Sequence, residues 1–296
     1  MTADATTGSA AAAGTFRLGD RTVNRMGYGA MRLSGPNIMG PPRDHDEAVA
    51  VLRTAVELGV NHIDTSDYYG PYTVNALIRE ALHPYPDDLV LVTKVGARRT
   101  PDGGWPPAMS RQELTGAIHE NIDHLGVQAM DVVNLRMSGP GGALFTEGSL
   151  AEPFTVLLDL QQQGLVRHIG VSNVGPGPLA EARSLGPVVC VQNAYNVVDR
   201  GDDPLVDRCT ADGLAFVPFF PLGGFAPLQA DRFSALAGEA GLTTMQLALA
   251  WLLARSPAIL TIPGTSSVAH LRENVAAAGV RLSEGDLAQL DALATA

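Results

Sequence analysis

The sequence predicts an α/β fold in which eight parallel strands and their helices close into a (β/α)8 barrel, with an N-terminal β-hairpin and extra helices. Three observations lead there. Short apolar runs alternate with amphipathic stretches about eight times along the 296 residues, and strands that alternate with helices pair in parallel. No break in composition divides residues 15–296, a length usual for one barrel domain. GYGAMR at 27–32 begins like a glycine-rich dinucleotide fingerprint but lacks its third glycine, which disfavours the open doubly wound sheet.

The elements follow in order. MTADATTGSAAAAG has no basic start and no strongly apolar centre, so residues 1–14 read as a disordered tail and not as a signal peptide. TFRLGDRTVNR is a hairpin turning at Gly19-Asp20. MGYGAM is extended. Residues 44–58 form a helix with Ala48, Val51, Leu52, Ala55 and Val56 on one face and Gly59 as its stop. VNHID is a strand, 72–83 a helix and DLVLVTKV a strand; SRQE at 110–113 is a capping box opening a helix to about Leu125. MDVVNLR, VRHIGVS, VVCVQN, LAFVPFF and AILTIPG supply further strands. Residues 150–163, 177–185, 203–212, TTMQLALAWLLAR, SVAHLRENVAAA and a last helix from SEGD supply helices.

The formal net charge of −11 argues against a nucleic-acid or anionic-membrane partner, while leaving room for a small anion in a local basic pocket. Cys190 and Cys209 have no CxxC spacing, so neither a disulfide framework nor a structural zinc is expected, and a reducing, cytoplasmic location follows. No apolar run approaches the roughly 20 residues of a membrane helix. The histidines show no compact ligand spacing, so no metal is expected.

In a barrel of this kind the chemistry gathers where strands end. Those positions read Gly29-Ala30-Met31, Asp64 with Tyr69, Lys94, Arg136, Ser172-Asn173, Gln192, Phe219 and Pro263-Gly264-Thr265. A lysine inside LVTKV is costly unless paired, and Asp64 is the available partner. Such a pair could merely tie two strands together. A tyrosine beside it points to chemistry, because an ammonium favours the phenolate and lets the phenol deliver a proton to a carbonyl oxygen. Asp67 near Asp64 raises a glycosidase pair, but both lie on one turn and no second strand end offers a carboxylate.

These pieces make the chain resemble the aldo-keto reductases from about residue 15 to 292. HIDTSDYYG matches the family's Asp-Thr-Ala-x-x-Tyr-Gly with Ser66 for the alanine, and TK, GVSN, QNAYN, FFPLGG and IPGTSSVAHLREN fall in family order. RMGYGAM, GPPRD, GVNHIDTSDYYGP, VVNLR and VPFFPLGGF are most similar to the bacterial pyridoxal reductase branch. The resemblance implies a TIM barrel that binds NADPH across its mouth and reduces an aldehyde, pyridoxal first among candidates. The alternatives are a general or natural-product carbonyl reductase and a redox-sensing subunit that binds cofactor with slow turnover. It makes Tyr69 the general acid, Lys94 the group that lowers its pKa and Asp64 the support of Lys94. Ser172, Asn173 and Gln192 would hold the carboxamide, with Gly29, Ala30 and Met31 also lining the cofactor site. Phe219 would stack on the nicotinamide in place of a tyrosine, and Pro221, Leu222 and Gly223 would follow the pyrophosphate.

Two departures stand out. Arg136 occupies the place of the family histidine; a guanidinium cannot shuttle a proton, but it can orient a carbonyl or meet an acidic substituent of the substrate. The family's phosphate-clamping Lys-Ser and arginine are replaced by Gly264-Thr265 and His270. The clamp then falls to Thr265, Ser266 and the amides of a helix N-terminus, with His270 and Arg272 as charged candidates and Glu273 and Asn274 toward the adenine. Trp105, in the loop RRTPDGGWPPAMS, is either a wall of the substrate pocket or an exposed loop residue.

Overall fold

A computed structural model of the chain describes residues 8–223 and 227–294. A hairpin of β1 (Thr15–Leu18) and β2 (Arg21–Asn24) precedes a seven-stranded parallel sheet of β3 (Tyr28–Gly29), β4 (His62–Asp64), β5 (Val90–Val95), β6 (Met130–Arg136), β7 (Val166–Ser172), β8 (Cys190–Gln192) and β9 (Ala215–Phe216). The eighth barrel stave is too short for a full ladder and is held by single bridges. Ile259 bridges Phe216 and Thr261 bridges Met26, both in parallel, so AILTIPG joins the last strand to the first and closes the (β/α)8 barrel.

The helices are α1 (His45–Glu57), α2 (Thr73–Leu82), α3 (Arg111–Leu125), α4 (Ala151–Gln162), α5 (Pro176–Leu185), α6 (Asp203–Asp212), α7 (Pro227–Glu239), α8 (Thr244–Arg255), α9 (Val268–Ala276) and α10 (Glu284–Asp291). Their starts follow the caps in the sequence. Asp44 caps α1, and Ser110 with Glu113 closes the capping box of α3, which Gly126 ends in the left-handed conformation. No single helix among the described residues is long and apolar enough to cross a membrane.

The structure departs from the sequence expectation in two places. Helix α7 was not foreseen, because its buried stripe is narrow, with Phe233 and Ala237 as its fully buried members among the described residues. Residues 8–14, expected in a disordered tail, are folded: Ala10–Ala13 form a 3-10 turn with Ala10 fully buried and its N–H bonded to Leu58 O at 2.9 Å. The small side chains are what permit this. An added Cβ on Gly8 would lie 2.5 Å from Ala276 Cα. The expected tail residues 1–7 lie outside the described residues.

Two apolar layers surround the strands, as a parallel sheet requires. All six residues of β5 are buried. Outward-facing residues such as Ile63, Leu91 and Val133 pack under the helices. Inward-facing Val90, Val92, Val132, Cys190, Ala215, Val217 and Leu260 meet Leu18 and Val23 of the hairpin, which plugs the barrel floor. The hairpin turn is latched from below: Asp20 Oδ1 lies 2.6 Å from His168 Nε2, and Gly19, at φ +67, leaves the space that ring fills.

Within this interior His62 lies on the same face of β4 as Asp64, two residues on. Its ring occupies the space a side chain on Gly27 would need, and neither ring nitrogen has a hydrogen-bond partner. Burial pushes its pKa down to about 4 from 6.5. The unfolded chain therefore binds the proton at a higher pH than the native one, and native stability is lost as pH falls from 6.5 toward 4. His62→Leu should remove that loss. In denaturant titrations the stability difference should move in the variant's favour by about 3 kcal/mol across this window. A pH-independent difference would contradict the assignment.

Candidate active site

The strand tips bring together three of the groups that the sequence set apart. Lys94, near the end of β5, donates from Nζ to Asp64 Oδ1 at 2.5 Å and to Thr65 O at 3.1 Å. Asp64 Oδ2 accepts from Gln192 Nε2 at 2.8 Å, a bond across the barrel from β4 to β8. Both charged groups are almost wholly buried, at 6% and 4% exposure. Tyr69 is 7% exposed, and Lys94 Nζ stands 5.2 Å from its ring centre.

The electrostatics differ in one respect from the expectation of a depressed phenol. Burial pushes the Tyr69 pKa up, Lys94 and Arg136 pull it down, Asp64 opposes them, and the net direction is upward. Tyr69 is thus held protonated, with the Lys94 ammonium beside its ring. Burial also works against the Lys94 ammonium, but Asp64, Tyr69 and Tyr68 outweigh it and hold its pKa above the usual lysine value.

Behind these groups lies a buried polar network that the sequence reading missed. Thr65 Oγ1 donates to Asn75 Oδ1 at 2.8 Å, and Asn75 Nδ2 donates to Asp67 Oδ1 at 3.1 Å and Asn121 Oδ1 at 3.0 Å. Thr93 Oγ1 donates to Asn121 Oδ1 at 2.6 Å, and His124 Nδ1 sits 2.9 and 3.0 Å from the two Asp67 oxygens. Its members adjoin the site residues in sequence: Thr65 follows Asp64, Asp67 precedes Tyr69 by two, and Thr93 precedes Lys94. Asp67, set aside as a glycosidase acid, is a structural anchor. Burial raises its pKa to about 6 against the pull of His124. Its one trace in the sequence is Asn121, which interrupts the buried stripe Leu114, Ile118, Leu125 of α3 without revealing its partners.

Around this centre, Arg136 Nη1 donates to Ser172 Oγ at 3.2 Å, and its guanidinium carbon is 5.2 Å from the Phe219 ring centre. Its recorded partners among the described residues are this hydroxyl and this ring. Asn173, at φ +59, spends its amide hydrogens on Met137 O (3.1 Å) and Ala143 O (2.8 Å), leaving Oδ1 as the atom available to a ligand. Gln192 Oε1 is buried without a partner. An orphaned buried acceptor is costly, and this one, beside Ser172 on the neighbouring strand, suits a carboxamide NH₂. The residues present therefore fit a nicotinamide.

The remaining candidates form a rim. Gly29 and Gly264 pack backbone to backbone, since a Cβ on Gly29 would lie 2.5 Å from Ile262 O and one on Gly264 2.7 Å from Gly29 O. Ala30 and Met31 follow in a 3-10 turn. Phe220 takes φ +59, and Asn196 Nδ2 holds Phe220 O and Gly223 O at 3.0 and 2.9 Å, fixing Pro221, Leu222 and Gly223. Gly224, the last residue of FFPLGG, lies outside the described residues.

The adenosine end is less open than expected. Thr265 Oγ1 takes the Ser267 N–H at 3.1 Å, and Glu47 Oε1 takes the Val268 N–H at 2.8 Å, so two amides at the start of α9 already have partners. Ser266, His270, Arg272 and Glu273 are exposed, and Asn274 is buried. The stem of Arg32 lies over Gly264, with Cγ 3.4 Å from where a Cβ would stand. Trp105 is 42% exposed, yet it abuts Tyr68 edge-on at 5.4 Å and stacks under Arg99 at 3.8 Å, which puts it beside the tyrosine pair.

Known proteins carry the same arrangement of sequence and fold. The profile of the Aldo/keto reductase family matches residues 25–295. The chain is 58% identical over 279 residues to pyridoxine 4-dehydrogenase of Escherichia coli K12, covering 94% of this chain and 98% of that protein. A thermostable aldo-keto reductase crystallised with the inhibitor epalrestat superposes with a TM-score of 0.79 at 30% identity, covering 94% of this chain and 99% of that one. An aldo-keto reductase of Klebsiella pneumoniae in complex with NADPH gives 0.75 at 26% identity, covering 94% of each chain. A closed barrel, an Asp-Lys pair beside a tyrosine at its mouth, and a match across nearly the whole length lead to one conclusion: this chain belongs to the aldo/keto reductase family.

Proposed function

We propose that the protein is an NADPH-dependent carbonyl reductase of a reducing, cytoplasmic compartment, and that it reduces pyridoxal to pyridoxine. One observation carries the reading: the buried Lys94–Asp64 pair beside Tyr69 occurs in a chain 58% identical to a pyridoxine 4-dehydrogenase. The neighbour crystallised with NADPH supports the choice of cofactor.

The reduced nicotinamide, when bound, supplies the hydride. Ser172, Asn173 Oδ1 and Gln192 Oε1 hold its carboxamide, and the Phe219 ring gives it a flat face to rest on. Tyr69 donates its phenolic proton to the substrate oxygen as the carbonyl carbon is reduced. Lys94 stabilises the phenolate left behind, and Asp64 keeps Lys94 charged and aimed. Arg136 orients the carbonyl compound by hydrogen bonding and does not itself move a proton.

Mixing the purified protein with NADPH and pyridoxal should give steady oxidation of the cofactor. Tight NADPH binding with negligible turnover would instead indicate a sensing role, and turnover confined to unrelated aldehydes would move the substrate elsewhere.

A further inference from the structure

Tyr69 stands in a short loop that one side chain of the outer helix layer grips at both ends. His124, in the last turn of α3, sits with Nδ1 2.9 and 3.0 Å from the two oxygens of Asp67, two residues before Tyr69. Its ring lies 4.9 Å, centre to centre, from that of Tyr72, three residues after Tyr69. Tyr72 takes φ +68 at the entry to α2, a left-handed backbone that a bulky residue keeps only where its surroundings hold it. Its N–H closes the loop on Asp67 O at 2.7 Å.

The grip also reaches the lysine. Asn75 Nδ2 donates to Asp67 Oδ1, Thr65 Oγ1 donates to Asn75 Oδ1, and Lys94 Nζ donates to Thr65 O, at 3.1, 2.8 and 3.1 Å. Asp67, Asn75, Thr65 and Lys94 are all buried, whereas the His124 side chain is 35% exposed. A continuous line of hydrogen bonds thus runs from the helix surface to the ammonium. Burial raises the Asp67 pKa to about 6, so above that pH the carboxylate is ionised and only accepts. His124 Nδ1 then supplies the hydrogen.

We propose that His124 is a positioning residue for the reduction, holding Asp67 and Tyr72 so that Tyr69 and Lys94 keep their relative placement. The proposal rests on the carbonyl-reductase reading and adds to it a residue from the outer helix layer. A small displacement of a reacting group costs rate far out of proportion to its size. Loss of the grip therefore shows in turnover and not in binding.

The test compares the wild type with His124→Leu, which removes the donor and the ring, and with His124→Asn, whose amide puts a donor where Nδ1 stood. Each is assayed with pyridoxal and with pyridine-4-carbaldehyde at about pH 8, where Asp67 is ionised. Turnover is counted per NADPH-binding site by fluorescence titration, so unfolded protein does not enter. His124→Leu should lower kcat about tenfold, with KM for the aldehyde and Kd for NADPH within about twofold. His124→Asn should recover kcat to within about threefold of the wild type. An unchanged kcat per site in His124→Leu, even with a lower melting temperature, would make the residue purely stabilising and overturn the proposal. An equal loss in both variants, or a loss of NADPH affinity in step with turnover, would overturn it too. A wild type idle with both aldehydes overturns the functional reading, and the positioning with it.

Discussion

Tyr69→Phe should lower turnover of pyridoxal by about a thousandfold or more while leaving NADPH affinity within about twofold. Removing a positioned general acid costs on the order of 10²–10⁴ in rate, and neither cation at the strand tips can take the role. Lys94 is held above its usual pKa by Asp64 and the phenols, and Arg136 does not release a proton at any working pH. Phenylalanine fills the same space in the buried wall, so the cofactor face is preserved. Steady-state kinetics with fluorescence titration of NADPH reads both quantities. Loss of both would mean that Tyr69 builds the cofactor site instead of acting on the substrate.

The second large effect concerns stability. Asp64→Ala leaves the Lys94 ammonium, 6% exposed, without its carboxylate, and also strips Gln192 Nε2 of its acceptor. Breaking one side of a buried ion pair costs about 3–5 kcal/mol, because desolvation of the remaining charge is no longer offset by Coulomb attraction. At roughly 2 °C per kcal/mol for a chain of this size, the melting temperature should fall by about 6–10 °C. The double variant Asp64→Ala with Lys94→Met should recover much of that loss while remaining inactive, since the charge that was expensive to bury is gone. A double variant no more stable than the single one would show that the cost came from the cavity and not from the charge.

The sequence made the barrel legible because each helix carried its own start signal and each strand was a short apolar run. Ser110 with Glu113 and the stripe of α1 are cases in point. The eighth stave was legible as an apolar run, although it meets its neighbours through only the Ile259 and Thr261 bridges. Asp64, Lys94 and Tyr69 were legible for a related reason: charge inside an apolar strand is improbable without a partner. The supporting network was not, because Asn75, Asn121 and His124 are dispersed over two helices and meet only when α2 and α3 pack on the tyrosine loop. The Glu47 bond to Val268 is similar, joining residues 221 apart in sequence. The folded Ala10–Ala13 turn escaped notice because small residues look alike in a tail and in a tight crevice.

In the proposed reaction, hydride passes from the cofactor to an aldehyde at the mouth of this barrel, next to Tyr69. The most direct measurement repeats the pyridoxal reaction with NADPH carrying deuterium at C4 on one face at a time, and locates the label by mass spectrometry and NMR. One of the two labelled cofactors should deliver a single deuterium to the new carbinol carbon of pyridoxine, with none exchanged into solvent. Alcohol formed without label from either cofactor, or label washed into water, would contradict it.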